Sequence, residues 1–152
     1  MDAPGACSAA PILLVEDDEG EVQLTLRAFK RAGFANPISV VHDGAQALDY
    51  LFQRGDFADP AAAPRPTLVL LDLKMPRLDG LEVLRELKRA PVKRRIPVVV
   101  LTSSRHETDL AAAYDLGANA YVVKPVEFEQ FVQAVQQIGL FWIATVEPPP
   151  LG

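Results

Sequence analysis

"TLVLLDLKMPRLDG", Thr67 to Gly80, decides how this chain is read. Leu68, Val69, Leu70 and Leu71, with Leu73 just beyond, form a short apolar run without alternation, the signature of a parallel strand buried on both faces. Asp72 interrupts that run. A carboxylate buried without a partner is too costly to leave in a strand interior, so Asp72 is read as the strand's end. Pro76 then turns the chain out of the sheet, Asp79 is placed to N-cap the next helix, and Gly80 eases its first turn.

Four similar runs flank this one. Ile12–Val15 ends in Glu16, Asp17 and Asp18, and Ile38–Val41 follows it. Val98–Leu101 ends in Thr102-Ser103-Ser104, and Ala120–Val123 ends in Lys124-Pro125. Between the runs, apolar residues recur at helical spacing: Val22, Leu26 and Phe29; Ala45, Leu48 and Leu51/Phe52; Leu81, Leu84 and Leu87; Leu110, Ala113 and Leu116; Phe128, Phe131/Val132, Val135 and Ile138. Gly117 suits the C-terminal cap of the fourth helix. Strand and helix alternate five times, (βα)5. Right-handed crossovers then cover both faces of a five-stranded parallel sheet, a doubly wound α/β fold. One domain is expected over residues 12–140, after a flexible segment 1–11 and before an aromatic and proline-rich tail 141–152. Residues 54–66, rich in Gly, Asp, Ala and Pro, read as a long surface loop.

Composition narrows the function classes. With 152 residues, the chain can bury a sizeable single core. A net charge of −5 argues against general binding to nucleic acid or an anionic membrane. The basic run Lys93-Arg94-Arg95 reads as a solvated loop. A single cysteine, Cys7, allows no intrachain disulfide and fits a reducing compartment. With no signal peptide and no spanning apolar run, the expected location is the cytoplasm.

Four strands therefore break into polar residues at the same end: Glu16, Asp17, Asp18, Asp72, Thr102 and Lys124. In open α/β sheets, ligands bind beyond the carboxyl ends of the strands. Carboxylates held close together repel one another and favour a divalent cation, and an oxygen-only set suits Mg²⁺ (or Mn²⁺). With a lysine and a hydroxyl added, such a site can hold a phosphoryl group, and Asp72 is either a ligand alone or also a nucleophile.

"ILLVEDD", "LLDLKMPRLDG", "VVVLTSS" and "AYVVKP" together resemble the receiver domain of two-component response regulators, over roughly Ile12 to Ile138. The resemblance implies a flavodoxin-like sheet in the order 2-1-3-4-5. It also implies a signalling protein, rather than an enzyme, that takes a phosphoryl group from a sensor histidine kinase. Residue by residue, Asp72 matches the phosphoacceptor and Asp17 the direct metal ligand, with Glu16 acting through water. The backbone carbonyl of Lys74 matches a third ligand, Thr102 the switch hydroxyl, Lys124 the lysine on the phosphoryl and Tyr121 the switch aromatic. Asp18 is expected one step back from the metal. Lys74 and Ser104 fall at positions that tune phosphoryl lifetime, and Pro125 at a proline often preceded by a cis peptide.

No DNA-binding domain follows, so a stand-alone receiver is expected. The stretch around residues 50–77 and the aromatic tail resemble response regulators that partner bacterial phytochrome kinases. A histidine phosphotransfer protein is a second partner of this class. Phe141-Trp142-Ile143 is expected either to fold back on the core or to bury itself in a homodimer. Two other readings stay open. One is a pseudo-receiver that binds partners without phosphorylation. The other is a haloacid-dehalogenase-type phosphohydrolase, which would want an acid where Lys74 stands.

Overall fold

The computed structural model describes residues 10–75, 78–103 and 106–145. The strands are β1 (Ile12–Val15), β2 (Ile38–Val41), β3 (Leu68–Leu71), β4 (Val98–Thr102) and β5 (Ala120–Val123). They alternate with α1 (Glu19–Arg31), α2 (Gly44–Leu51), α3 (Gly80–Arg89), α4 (Glu107–Asp115) and α5 (Phe128–Ile138). All strand pairs are parallel and the order is β2-β1-β3-β4-β5. The expected doubly wound fold is the observed one.

Side-chain alternation across the sheet builds two cores. Leu13, Val15, Val69, Leu71, Val98 and Val100 meet α2, α3 and Ala113 of α4. Ile12, Leu14, Leu68, Leu70, Val99 and Leu101 meet α1 and α5 on the other face. The three central strands are fully buried, while β2 and β5, at the edges, are mostly half-buried. Among the described residues, no helix is long and apolar enough to cross a membrane.

Caps start three of the helices. The side chains of Asp18, Asp43 and Asp79 accept from the backbone N–H groups of Glu21, Gln46 and Glu82. Gly117, at φ +102, ends α4 in the left-handed region, as expected of it. Gly80 does more than ease a turn. A Cβ there would lie 2.3 Å from the carbonyl oxygen of Asp72, so the bare backbone lets α3 begin against the end of β3.

Three expectations need correction and one gains detail. Residues 54–66 are mostly exposed, but they carry a 3₁₀ turn, Gly55–Phe57, and are tied inward at a few points. Ala63 is buried, Phe57 lies 5.3 Å from Tyr50 ring to ring, and the Tyr50 hydroxyl donates to the Pro64 carbonyl. Leu110, taken for the inner face of α4, is 38% exposed, because Ala113 is the residue of α4 that reaches the core. On α2 the buried positions include Ala47 and Tyr50, rotated from the expected Ala45. Among the described residues no peptide is cis, so the bond before Pro125 is trans.

Candidate functional site

The chain leaves β1 for β2 on one side and returns to β3 on the other. The carboxyl ends of β1 and β3 therefore border a switch in strand order. Val15 and Leu71 are partners in register, and each is followed by an acid. The Asp72 N–H donates to the Val15 carbonyl at 3.1 Å, which fixes Glu16 and Asp72 side by side. Asp72 is half-buried, and its Oδ1 accepts the Leu73 N–H at 2.8 Å. Thr102 and Val123 end β4 and β5 in register, and the Lys124 N–H donates to the Thr102 carbonyl at 2.8 Å.

These ends open on a cleft of about 540 Å³ lined by Glu16, Asp17, Asp18, Asp72, Lys74 and Lys124, among others. Glu16, Asp17 and Asp72 each place a carboxylate oxygen within 4.8 Å of the others. Glu16 is buried, Asp72 half-buried and Asp17 exposed, so the group opens outward from a buried floor. Three hard oxygen donors this close fit a divalent cation of the Mg²⁺ or Mn²⁺ kind.

Lys124 supplies positive charge from within the protein. Its side chain is 8% exposed, and Nζ donates to Glu16 Oε1 at 2.5 Å and to Glu21 Oε1 at 3.1 Å. Burial pushes the Glu16 carboxyl up to about 7, against the pull of Lys124, with Asp72 adding to the rise. Burial also acts to lower Lys124, but Glu16, Asp72 and Glu21 outweigh it and hold the ammonium above its ordinary value.

The remaining expected site residues divide. Thr102 is buried at the end of β4, beside this cleft in the chain. Asp18 lines the cleft, yet its side chain is engaged as the cap of α1. The Lys74 ammonium does not reach into the acid cluster; it pairs with Asp109 of α4 at 3.3 Å. Ser104 lies outside the described residues. Glu21 and Asp109 were missed as charge partners. Helical spacing places Glu21 in the first turn of α1, where its carboxylate reads as cap chemistry rather than as a partner for a strand-end lysine.

The sequence matches the response regulator receiver domain over residues 12–136. This chain belongs to that family. FilR2, a probable methanogenesis regulatory protein of Methanothrix harundinacea, is 42% identical over 91% of this chain and 86% of its own length. Response regulator Rcp1 of Synechocystis is 41% identical over 91% of this chain and 92% of its own. A crystal structure of its Mn²⁺-bound form superposes with a TM-score of 0.83, covering 93% of this chain and 99% of that one. The bacteriophytochrome response regulator RtBRR is 53% identical, with a TM-score of 0.74 over 93% of this chain and 85% of that one. Receivers bind divalent metal, and the acid cluster of this receiver has the donors for it.

Away from the acids, Tyr121 sits half-buried on β5 opposite Val100 and packs against the core shared with α3. The tail is split. After α5 the chain continues as a π-helical segment, Gly139–Thr145. Trp142 folds onto the core between α1 and α5, while Leu140 and Phe141 stay 59% and 53% exposed. Phe141 meets Trp142 edge-on at 4.9 Å, and the Ile143 side chain lies outside the described part.

The Glu16 shift has a defined sign. Between the ordinary value of 4.5 and about 7, the folded receiver holds a proton that the unfolded chain has released. The stability tied to Glu16 is complete below that window and is lost as pH rises through it. Urea unfolding with chelator present, from below pH 4.5 to above pH 7, should show wild type losing stability relative to Glu16→Gln across this window. Wild type holding level with Glu16→Gln, or gaining on it, as pH rises through the window contradicts the assignment.

Proposed function

We propose that this receiver accepts a phosphoryl group on Asp72 from a phosphohistidine of a sensor kinase and signals through the change that follows. The supporting observation is the meeting of Glu16, Asp17, Asp72 and Lys124 at the switch in strand order. An Asp72 carboxylate oxygen attacks phosphorus in line. The N–P bond breaks and its electron pair returns to the imidazole. Asp17 and Asp72, with the Lys74 carbonyl, would hold Mg²⁺ or Mn²⁺, which supplies charge neutralisation of the phosphoryl oxygens. Both Glu16 carboxylate oxygens already have protein donors, Lys124 and the Asp18 N–H, which supports a role for Glu16 through water. Lys124 takes a phosphoryl oxygen. Thr102 donates to another, and Tyr121 repacks as the hydroxyl moves.

The kinase is read as phytochrome-type. RtBRR, a bacteriophytochrome response regulator, is 53% identical to this chain, against 42% for the methanogenesis regulator FilR2. The reading sets the protein in the cytoplasm, and onward relay to a histidine phosphotransfer protein suits it. A dehalogenase-type acid is missing from position 74, where the lysine is engaged by Asp109.

Acetyl phosphate with Mg²⁺ should add one phosphoryl mass to the wild type and none to Asp72→Asn. No gain in the wild type favours an unphosphorylated binding module. A gain that survives Asp72→Asn removes Asp72 as acceptor.

We further propose that Leu140 and Phe141, left exposed beside the seated Trp142, are buried in a homodimer. Sedimentation should find the wild type dimeric and a Leu140→Ser, Phe141→Ser variant monomeric. Both changes lie at exposed positions and leave Trp142, which Phe141 meets edge-on, in place on the core. A monomeric wild type sinks the idea.

A further inference from the structure

Asp18-Glu19-Gly20-Glu21 has the spacing of a capping box, in which the third helical residue turns its carboxylate back to the backbone N–H of the cap. Half of that box is present, since Asp18 Oδ1 accepts the Glu21 N–H at 3.2 Å. The other half is not made. The Asp18 N–H points to Glu16 Oε2 at a long 3.4 Å, and the Glu21 carboxylate crosses from α1 to β5 to take Lys124 at 3.1 Å. Glu21 thus has two places to go, and it occupies the one that draws on the lysine.

The two acids on Lys124 differ in what it costs them to let go. Glu16 is 3% exposed and held at the end of β1, so releasing the lysine strands a buried carboxylate. The Glu21 side chain is 40% exposed, and water or the Asp18 N–H at the positive end of α1 can receive it. Of the two contacts, the one to Glu21 is the one that can be given up.

We propose that Glu21 is a positioning residue, a detachable counter-ion that competes with an incoming phosphoryl group for Lys124. The inference rests on Asp72 being the acceptor. In the resting receiver Glu21 holds part of the ammonium's hydrogen-bonding capacity. When the phosphoryl arrives, Glu21 swings to the cap N–H and completes the box, and Lys124 turns its freed donor to a phosphoryl oxygen. Glu21 thereby raises the threshold for phosphorylation without touching the reacting atoms.

Glu21→Gln isolates this role, because glutamine can make the same capping-box hydrogen bond to the cap N–H but carries no charge. Glu19→Gln is the control. It removes one charge from the same turn, where Glu19 accepts from Gln23 and does not touch Lys124. The probe is fluoroberyllate with Mg²⁺, a mimic of the phosphoryl group that is not transferred, titrated by calorimetry at low salt. Glu21→Gln should bind it about threefold to fivefold more tightly than wild type, the size expected for a half-exposed ion pair. Glu19→Gln should stay near wild type, and added salt should close the gap. Unchanged or weaker binding by Glu21→Gln, or an equal gain in Glu19→Gln, overturns the proposal while leaving Asp72 as acceptor. A wild type that does not bind the mimic overturns the acceptor reading, and this inference with it.

Discussion

The ion pair between Lys124 and Glu16 is the constraint on which the site depends. It joins the end of β5 to the end of β1 across 108 positions of chain, and both side chains are almost fully buried. Taking two such charges out of water is expensive, and breaking the pair by removing one partner typically costs about 3–5 kcal/mol. Residues so placed are tolerated because the pair fixes where the lysine points, between Asp72 and α1. It also keeps a positive charge beside three acids that would otherwise repel one another. The sheet does the rest. Parallel register sets Val15 beside Leu71 and Thr102 beside Val123, so four strand ends deliver their polar residues to one mouth.

Much of this was legible from residue order because local signals and the global fold agree. The apolar runs of β1, β2, β3 and β5 end where their strands end, since a polar residue closes each stretch that both cores can bury. Asp18, Asp43 and Asp79 cap helices for a reason that acts within four residues, and such reasons can be read without a structure. Strand order is different in kind. Nothing in the spacing of the runs says that β1 lies between β2 and β3; the family resemblance supplied it.

What escaped the sequence was decided by contacts between distant segments. The 54–66 stretch looks like loop by composition, yet it offers a carbonyl to the Tyr50 hydroxyl and seats Ala63 in a pocket that no local pattern announces. Leu110 has the helical spacing of a core residue but falls on the rim of α4. Lys74 stands two residues past Asp72, close enough to suggest a direct hand in the chemistry, but Asp109 of a helix more than thirty positions away claims its ammonium. Glu21 escaped because its local role, the capping box, is a sufficient explanation of its presence. Only the position of Lys124 shows that the carboxylate goes elsewhere.

If Lys124 is the resident positive charge that a divalent cation must share space with, removing it should favour the metal. Calorimetric Mg²⁺ titration of wild type and Lys124→Gln tests this directly, run well above pH 7 because the Glu16 carboxyl rises further once the pull of Lys124 is gone. The account predicts tighter Mg²⁺ binding by Lys124→Gln, with the acid cluster intact and one repelling charge gone. Weaker or unchanged binding would contradict it, and would mean that Lys124 does not share the field of Glu16, Asp17 and Asp72.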